Sequence, residues 1–104
     1  VYDDIDLPLG SIRFKVGGSS GGHRGLDSII YNLKNDNFIK LKLGIATNSI
    51  MRPSEKYVLK PFPIKYQSII NETIEVACEG LEFLKNNSIQ DTMNKYNRKI
   101  KGED

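Results

Sequence analysis

Residues 11–33 read SIRFKVGGSSGGHRGLDSIIYNL, and three regimes succeed one another within them. From Ser11 to Val16 the chain alternates strictly, with Ile12, Phe14 and Val16 on one side and Ser11, Arg13 and Lys15 on the other. A period of two predicts a strand with one buried face. Gly17, Gly18, Ser19, Ser20, Gly21 and Gly22 then form a loop with few steric limits on its backbone. Leu26, Ile29, Ile30 and Leu33 recur at helical spacing, which predicts a helix from near His23–Leu26 to about Asn35. Strand, glycine loop and helix in that order point to an α/β arrangement.

Upstream, residues 1–10 read as the end of a strand and a turn punctuated by Pro8 and Gly10. Downstream, residues 38–45 alternate again: Ile39, Leu41, Leu43 and Ile45 share one face, and Lys40, Lys42 and Gly44 the other. Residues 46–55 read as a polar loop, and Tyr57, Val58 and Leu59 as a short apolar segment stopped by Pro61 and Pro63. A long helix is expected over 65–86, with Tyr66, Ile69, Ile70, Ile74, Ala77, Leu81 and Leu84 as its apolar stripe. Ser88 suits the N-cap of a last helix running to about Lys99, and residues 101–104 read as a frayed tail. The predicted fold is α/β, a single mixed twisted sheet with helices packed on it, forming one domain over 1–104. The sheet reads as incomplete, because the chain opens at Val1 inside a strand and without a methionine.

The chain has 104 residues, 38% hydrophobic and 27% charged, which is globular and excludes a disordered or collagen-like polymer. No apolar run has the length of a membrane span, and neither a membrane nor DNA is expected as a partner. Cys78 is the single cysteine, so no internal disulfide forms; it reads as a small buried hydrophobe in a reducing, cytoplasmic protein.

The net charge of +2 hides an uneven distribution: residues 1–10 sum to −3, residues 11–65 to +7 and residues 66–104 to −2. Arg13 and Lys15 share one strand face, and Lys40 and Lys42 share another. If those strands are neighbours, four cations form one patch, either a solvated face or a seat for phosphate. The glycine loop leading into a helix is either a flexible connection or a set of N–H groups facing an anion; it lacks the order of a P-loop. His23, the sole histidine, sits at a helix start, where the dipole favours a neutral hydrogen-bonding imidazole. Asp3, Asp4 and Asp6 offer turn chemistry, metal ligands or a carboxylate that orients a histidine.

Taken together, these segments resemble the bacterial-type peptidyl-tRNA hydrolases. Tyr2-Asp3-Asp4-Ile5-Asp6-Leu7-Pro8-Leu9-Gly10 is similar to that family's His-Asp-Asp/Glu-Leu-Asp-Leu-Pro-x-Gly signature. Gly21-Gly22-His23-Arg24-Gly25-Leu26-Asp27-Ser28-Ile29 is similar to its Gly-Gly-His-Asn-Gly-Leu-x-Ser-Ile. Leu41 to Ile45, Tyr57 to Leu59 and Met93-Asn94-Lys95-Tyr96-Asn97 match further positions, and the likeness runs from Val1 to about Arg98.

The resemblance implies hydrolysis of the ester between a peptide and the tRNA 3′ ribose, by an enzyme needing neither cofactor nor metal and monomeric at full length. The family's general-base histidine and its partner asparagine have no counterpart here, so this stretch alone is expected to be inactive. Asp3 matches the carboxylate that orients that base, and His23 a pocket-supporting histidine. Lys15 and Lys42 match the basic positions that clamp a tRNA phosphate; Arg13 and Lys40 would widen that patch, and Gly22 and Arg24 would meet the substrate end. Two departures stand out. Arg24 replaces an asparagine and offers donors only. Gly44-Ile45-Ala46-Thr47-Asn48 replaces Gly-Ile-Gly-Arg/His-Pro, which implies a different loop shape. Two other readings stay open: a non-catalytic RNA-binding relative acting in RNA processing, and an interaction domain whose basic patch is incidental.

Overall fold

The computed structural model describes residues 1–47 and 62–97. The expected loop from Asn48 onward, the Tyr57–Leu59 segment, the end of the last helix at Lys99 and the tail lie outside them. The described elements are β1 (Tyr2–Pro8), β2 (Ile12–Val16), α1 (Arg24–Leu33), β3 (Ile39–Ala46), a 3₁₀ turn (Ile64–Tyr66), α2 (Gln67–Asn86) and α3 (Ile89–Tyr96).

The three strands form one sheet in the order β1-β3-β2. It is mixed as expected, with β1 parallel and β2 antiparallel to β3. Since β1 and β2 are consecutive yet flank β3, the connection between them must cross β3. It does so at Gly44: the Gly44 N–H donates to Ser11 O at 2.9 Å, and Leu9 N–H donates to Ala46 O at 2.7 Å.

The β2–β3 register places Ile12 opposite Leu43 and Phe14 opposite Leu41, and in alternation Arg13 opposite Lys42 and Lys15 opposite Lys40. Opposed residues in an antiparallel pair share a face. One face is therefore apolar and packs under the helices: Ile12, Phe14, Leu41 and Ala77 form the core, flanked by Val76, Leu84, Ile89, Met93 and Tyr96. The other face carries the cations.

Helix α2 meets the core along a stripe that shares Ala77 and Leu84 with the expected one and differs from it elsewhere. Thr73, Ala77 and Gly80 are buried, whereas Ile69, Ile74 and Leu81 are exposed. The seam is made of small residues because Phe14 lies against it; a Cβ on Gly80 would stand 2.9 Å from Phe14 Cε2. Thr73 tolerates burial by donating its hydroxyl to Ile69 O at 2.7 Å. Cys78 is exposed, contrary to the expectation of a buried thiol, because it follows Ala77 by one residue and so turns off the seam. The start of α3 agrees with the sequence: Ser88 caps it, its hydroxyl accepting from Asp91 N–H at 3.0 Å.

After α3 the chain reaches the free edge of β2. Asn97 Oδ1 accepts from Phe14 N–H at 2.6 Å, and Asn97 Nδ2 donates to Phe14 O at 2.7 Å. One amide side chain thus imitates a rung of a neighbouring strand and closes an edge that would otherwise leave both groups unpaired. Asn97→Ala strands a part-buried donor and acceptor together, so it is expected to destabilise the fold by about 2–4 kcal/mol in urea unfolding. Asn97→Asp, which sets an acceptor oxygen against Phe14 O in place of the Nδ2 donor, should cost at least as much.

Candidate active site

A cleft of about 360 Å³ opens beside the first residues of β1, walled by β1, the glycine loop with the start of α1, and the cationic side chains of β2 and β3. It brings together Asp3, Asp4, Asp6, Lys15, Gly22, His23, Arg24 and Lys42 of the residues singled out from the sequence, and adds Tyr2.

His23 lines it and joins two of its walls. It is the N-cap of α1, with extended φ −73 and ψ 115. Its Nδ1 accepts from Leu26 N–H at 3.0 Å, so that nitrogen carries no proton. The proton then belongs on Nε2, which donates to Asp3 Oδ1 at 2.9 Å. Cap and carboxylate together fix one neutral tautomer. Gly25 leaves space for the ring, since a Cβ there would stand 3.1 Å from His23 Cε1. Tyr2 holds the ring from another side, edge-on, with centroids 5.0 Å apart. Burial, with the Asp4 carboxylate adding to it, pushes the Tyr2 phenol above its ordinary value of 10.0, so it stays a neutral hydroxyl.

Asp3 spends one oxygen on His23, and its side chain remains 41% exposed. A carboxylate accepts at both oxygens, and among the described residues no partner engages Oδ2 of this cleft-lining residue. Asp4 pairs with Lys42 at 3.4 Å, with both side chains mostly buried. The acidic run therefore divides its labour, Asp3 orienting an imidazole and Asp4 anchoring a cation.

The basic patch is smaller than alternation suggests. Lys15 and Lys42 reach the cleft; Arg13 lies on the same sheet face, opposite Lys42, outside the lining. Lys40 turns away. It is 2% exposed, and its ammonium donates to Asp36 O at 2.6 Å while lying 4.1 Å from the Phe38 ring centroid. Its charge is absorbed by the turn that precedes β3, so the four-cation cluster expected from the strand pattern does not form.

Arg24 is exposed at the first position of α1 and lines the cleft. The helix N-terminus behind it contributes a favourable field for an anion. The wall opposite β1 is thus donor-rich and cationic, while β1 itself offers carboxylates. Tyr2 was not singled out from sequence as a site residue; it stands where the resembled signature has a histidine.

Comparison with known proteins places the chain in a family. The family model described as peptidyl-tRNA hydrolase matches residues 1–103. A peptidyl-tRNA hydrolase of Thermodesulfovibrio yellowstonii is 44% identical over 98 residues, which are 94% of this chain and 52% of that protein. One of Clostridium tetani is 38% identical over 97 residues, 93% of this chain and 50% of the relative. The crystal structure of peptidyl-tRNA hydrolase from Acinetobacter baumannii superposes with a TM-score of 0.76 at 32% identity, over 88% of this chain and 46% of that one. The chain spans about half the length of the curated relatives it matches. Since the family model covers nearly every residue and the solved fold superposes on the described part, the chain belongs to the peptidyl-tRNA hydrolase family.

Proposed function

We propose that these residues form the C-terminal portion of an enzyme that hydrolyses the ester joining a peptide to the 3′ ribose of tRNA, returning the tRNA to translation. The observation that carries the reading is the Asp3 carboxylate, held at Oδ1 by His23 and open at Oδ2, in the same cleft as Lys15 and Lys42.

In this mechanism a histidine from outside these residues acts as the general base. Asp3 Oδ2 accepts its ring N–H, fixes its tautomer and stabilises the imidazolium formed as it takes a proton from water. The hydroxide equivalent adds to the ester carbonyl carbon. Collapse breaks the bond to the ribose 3′ oxygen, which regains a proton from the imidazolium. The products are a peptide with a free carboxylate and a tRNA with a free 3′ hydroxyl. His23 is a positioning residue here, and Lys15 and Lys42 hold a backbone phosphate of the acceptor stem without reading its sequence. Arg24 meets the substrate end as a cationic donor, a contact the family's asparagine would make as a neutral amide. Gly22 lets that end approach the loop backbone. Arg13 adds to the long-range field rather than to contact. The enzyme acts as a cytoplasmic monomer on peptidyl-tRNA.

The test is release of N-blocked amino acid from N-acetyl-aminoacyl-tRNA by the full-length protein, expected to be catalytic in the presence of chelator. Absence of release, with tRNA binding intact, would turn the reading toward an RNA-binding role. The basic wall has its own prediction. Lys15→Glu and Lys42→Glu together should weaken tRNA binding by about 10²-fold near physiological salt and lower the salt slope by about two. Unchanged affinity would make the patch incidental.

A further inference from the structure

The two cleft lysines are held in different ways. Lys42 is anchored by the Asp4 carboxylate. Among the described residues no carboxylate pairs with Lys15, yet its side chain is only half-exposed and its tip lies at one place in the glycine loop. The space a Cβ on Gly18 would fill is 2.8 Å from Lys15 Nζ and 2.9 Å from Lys15 Cε. The ammonium and its last methylene therefore rest on the bare α-carbon of Gly18.

The other loop glycines have no such role. Gly17, Gly18, Gly21 and Gly22 all have positive φ, at 69, 92, 62 and 90. A Cβ on Gly17 would make only an ordinary contact, 3.4 Å from Asn37 Oδ1, and one on Gly21 or Gly22 would meet nothing within 4 Å. Backbone conformation accounts for those three. Gly18 carries a second constraint, and the atoms it would displace belong to the tip of a flexible side chain rather than to the backbone.

We propose that Gly18 is a positioning residue for Lys15: its missing side chain is the seat that sets where the ammonium stands in the cleft. This rests on the reading of Lys15 as a phosphate contact. A lysine stem has four rotatable carbons and no preferred direction of its own. A surface that accepts its tip at one spot reduces the freedom lost when a phosphate arrives. A methyl at position 18 occupies that spot, so the ammonium must move, while the sheet and α1 need not.

A double-mutant cycle on tRNA affinity in the full-length protein, titrated between 50 and 200 mM salt, tests it. Lys15→Ala is expected to weaken binding about tenfold and lower the salt slope by about one. Gly18→Ala should weaken binding about fivefold with a similar loss of slope, because a displaced ammonium no longer releases its counterion. In the Lys15→Ala background, Gly18→Ala should change affinity less than about twofold, since the two act as a unit. Gly17→Ala places a methyl at a positive-φ position of the same loop without touching Lys15, and should leave affinity and slope as they are. Equal losses from Gly18→Ala with and without Lys15, or an equal loss from Gly17→Ala, would overturn the seat while leaving the phosphate contact standing. Unchanged binding in Lys15→Ala would overturn the phosphate contact, and the seat with it.

Discussion

Asp3→Asn is expected to lower the turnover of peptidyl-tRNA by about 10²–10⁴-fold while leaving KM within about twofold. The amide keeps an oxygen that can accept the His23 Nε2–H, so the 2.9 Å contact and the cap of α1 survive. What changes is the second position. Nδ2 is a donor, and it faces a ring nitrogen that must itself donate for the base to be oriented. The base is driven to the wrong tautomer and its imidazolium loses a negative neighbour. Asp3→Ala removes both contacts and should slow turnover at least as much, with an added loss of thermal stability from the freed His23. The comparison separates the two oxygens. If Asp3→Asn turned over like the parent protein, Oδ2 would have no part in the reaction.

Gly44→Ala is expected to be the most damaging single methyl in the fold, at a cost on the order of 4 kcal/mol. Gly44 has no positive φ, so conformational freedom does not account for it. Space does. The connection from β1 to β2 crosses β3 there, and a Cβ would overlap the Pro8 carbonyl oxygen and lie 2.6 Å from Ser11 Oγ and 2.9 Å from the Leu7 carbonyl oxygen. Two of those atoms are backbone. They are pinned as well: Pro8 O accepts from Ser11 N–H at 3.1 Å and from Ser11 Oγ at 2.6 Å. The methyl must lift the crossing off β3, and the parallel pairing of Tyr2, Asp3 and Asp4 with Lys42, Leu43 and Gly44 would loosen with it. Thermal unfolding should show a large drop in midpoint, or no soluble protein. An unchanged midpoint would mean that the crossing has slack that the present geometry does not have. By contrast, Gly21→Ala meets no neighbour and costs only its backbone strain, about 1 kcal/mol.

Much of this was legible in the residues. Alternation at 11–16 and 38–45 located β2 and β3 and put Arg13 with Lys15 on one face of the first and Lys40 with Lys42 on one face of the second, because a period of two is a property of the backbone and survives any packing. Where a long side chain ends is not. The Lys40 ammonium is captured by carbonyls of the turn before β3, a contact that no strand pattern encodes. Helix α2 was legible as a helix, and Ala77 and Leu84 as part of its packed face, but the rest of that face was not. Hydrophobicity favoured Ile74 and Leu81, whereas the packing surface needed room for Phe14 and set Thr73 and Gly80 beside the expected Ala77. Small and hydroxyl residues give a weak apolar signal even when they are the seam.

The site followed the same division. The likeness to a family signature drew Asp3 and His23 to one site, but their direct bond is a tertiary fact linking residues 20 apart. Asn97 stood in a matching motif without a reason; its reason is an unpaired strand edge 83 residues upstream. Tyr2 was read as a variant letter of a signature, and its contact with the His23 ring became visible only once α1 was in place.

One cleft is divided between a carboxylate that governs rate and lysines that govern grip. The most direct measurement is kcat and KM for N-acetyl-aminoacyl-tRNA, taken under one set of conditions for the full-length protein, for Asp3→Asn and for Lys15→Ala combined with Lys42→Ala. The account predicts that the first substitution falls on kcat alone and the lysine pair on KM, with steep salt dependence lost only in the latter. A lowered kcat at saturation in the lysine variant, or a KM change carrying the Asp3→Asn defect, would contradict it.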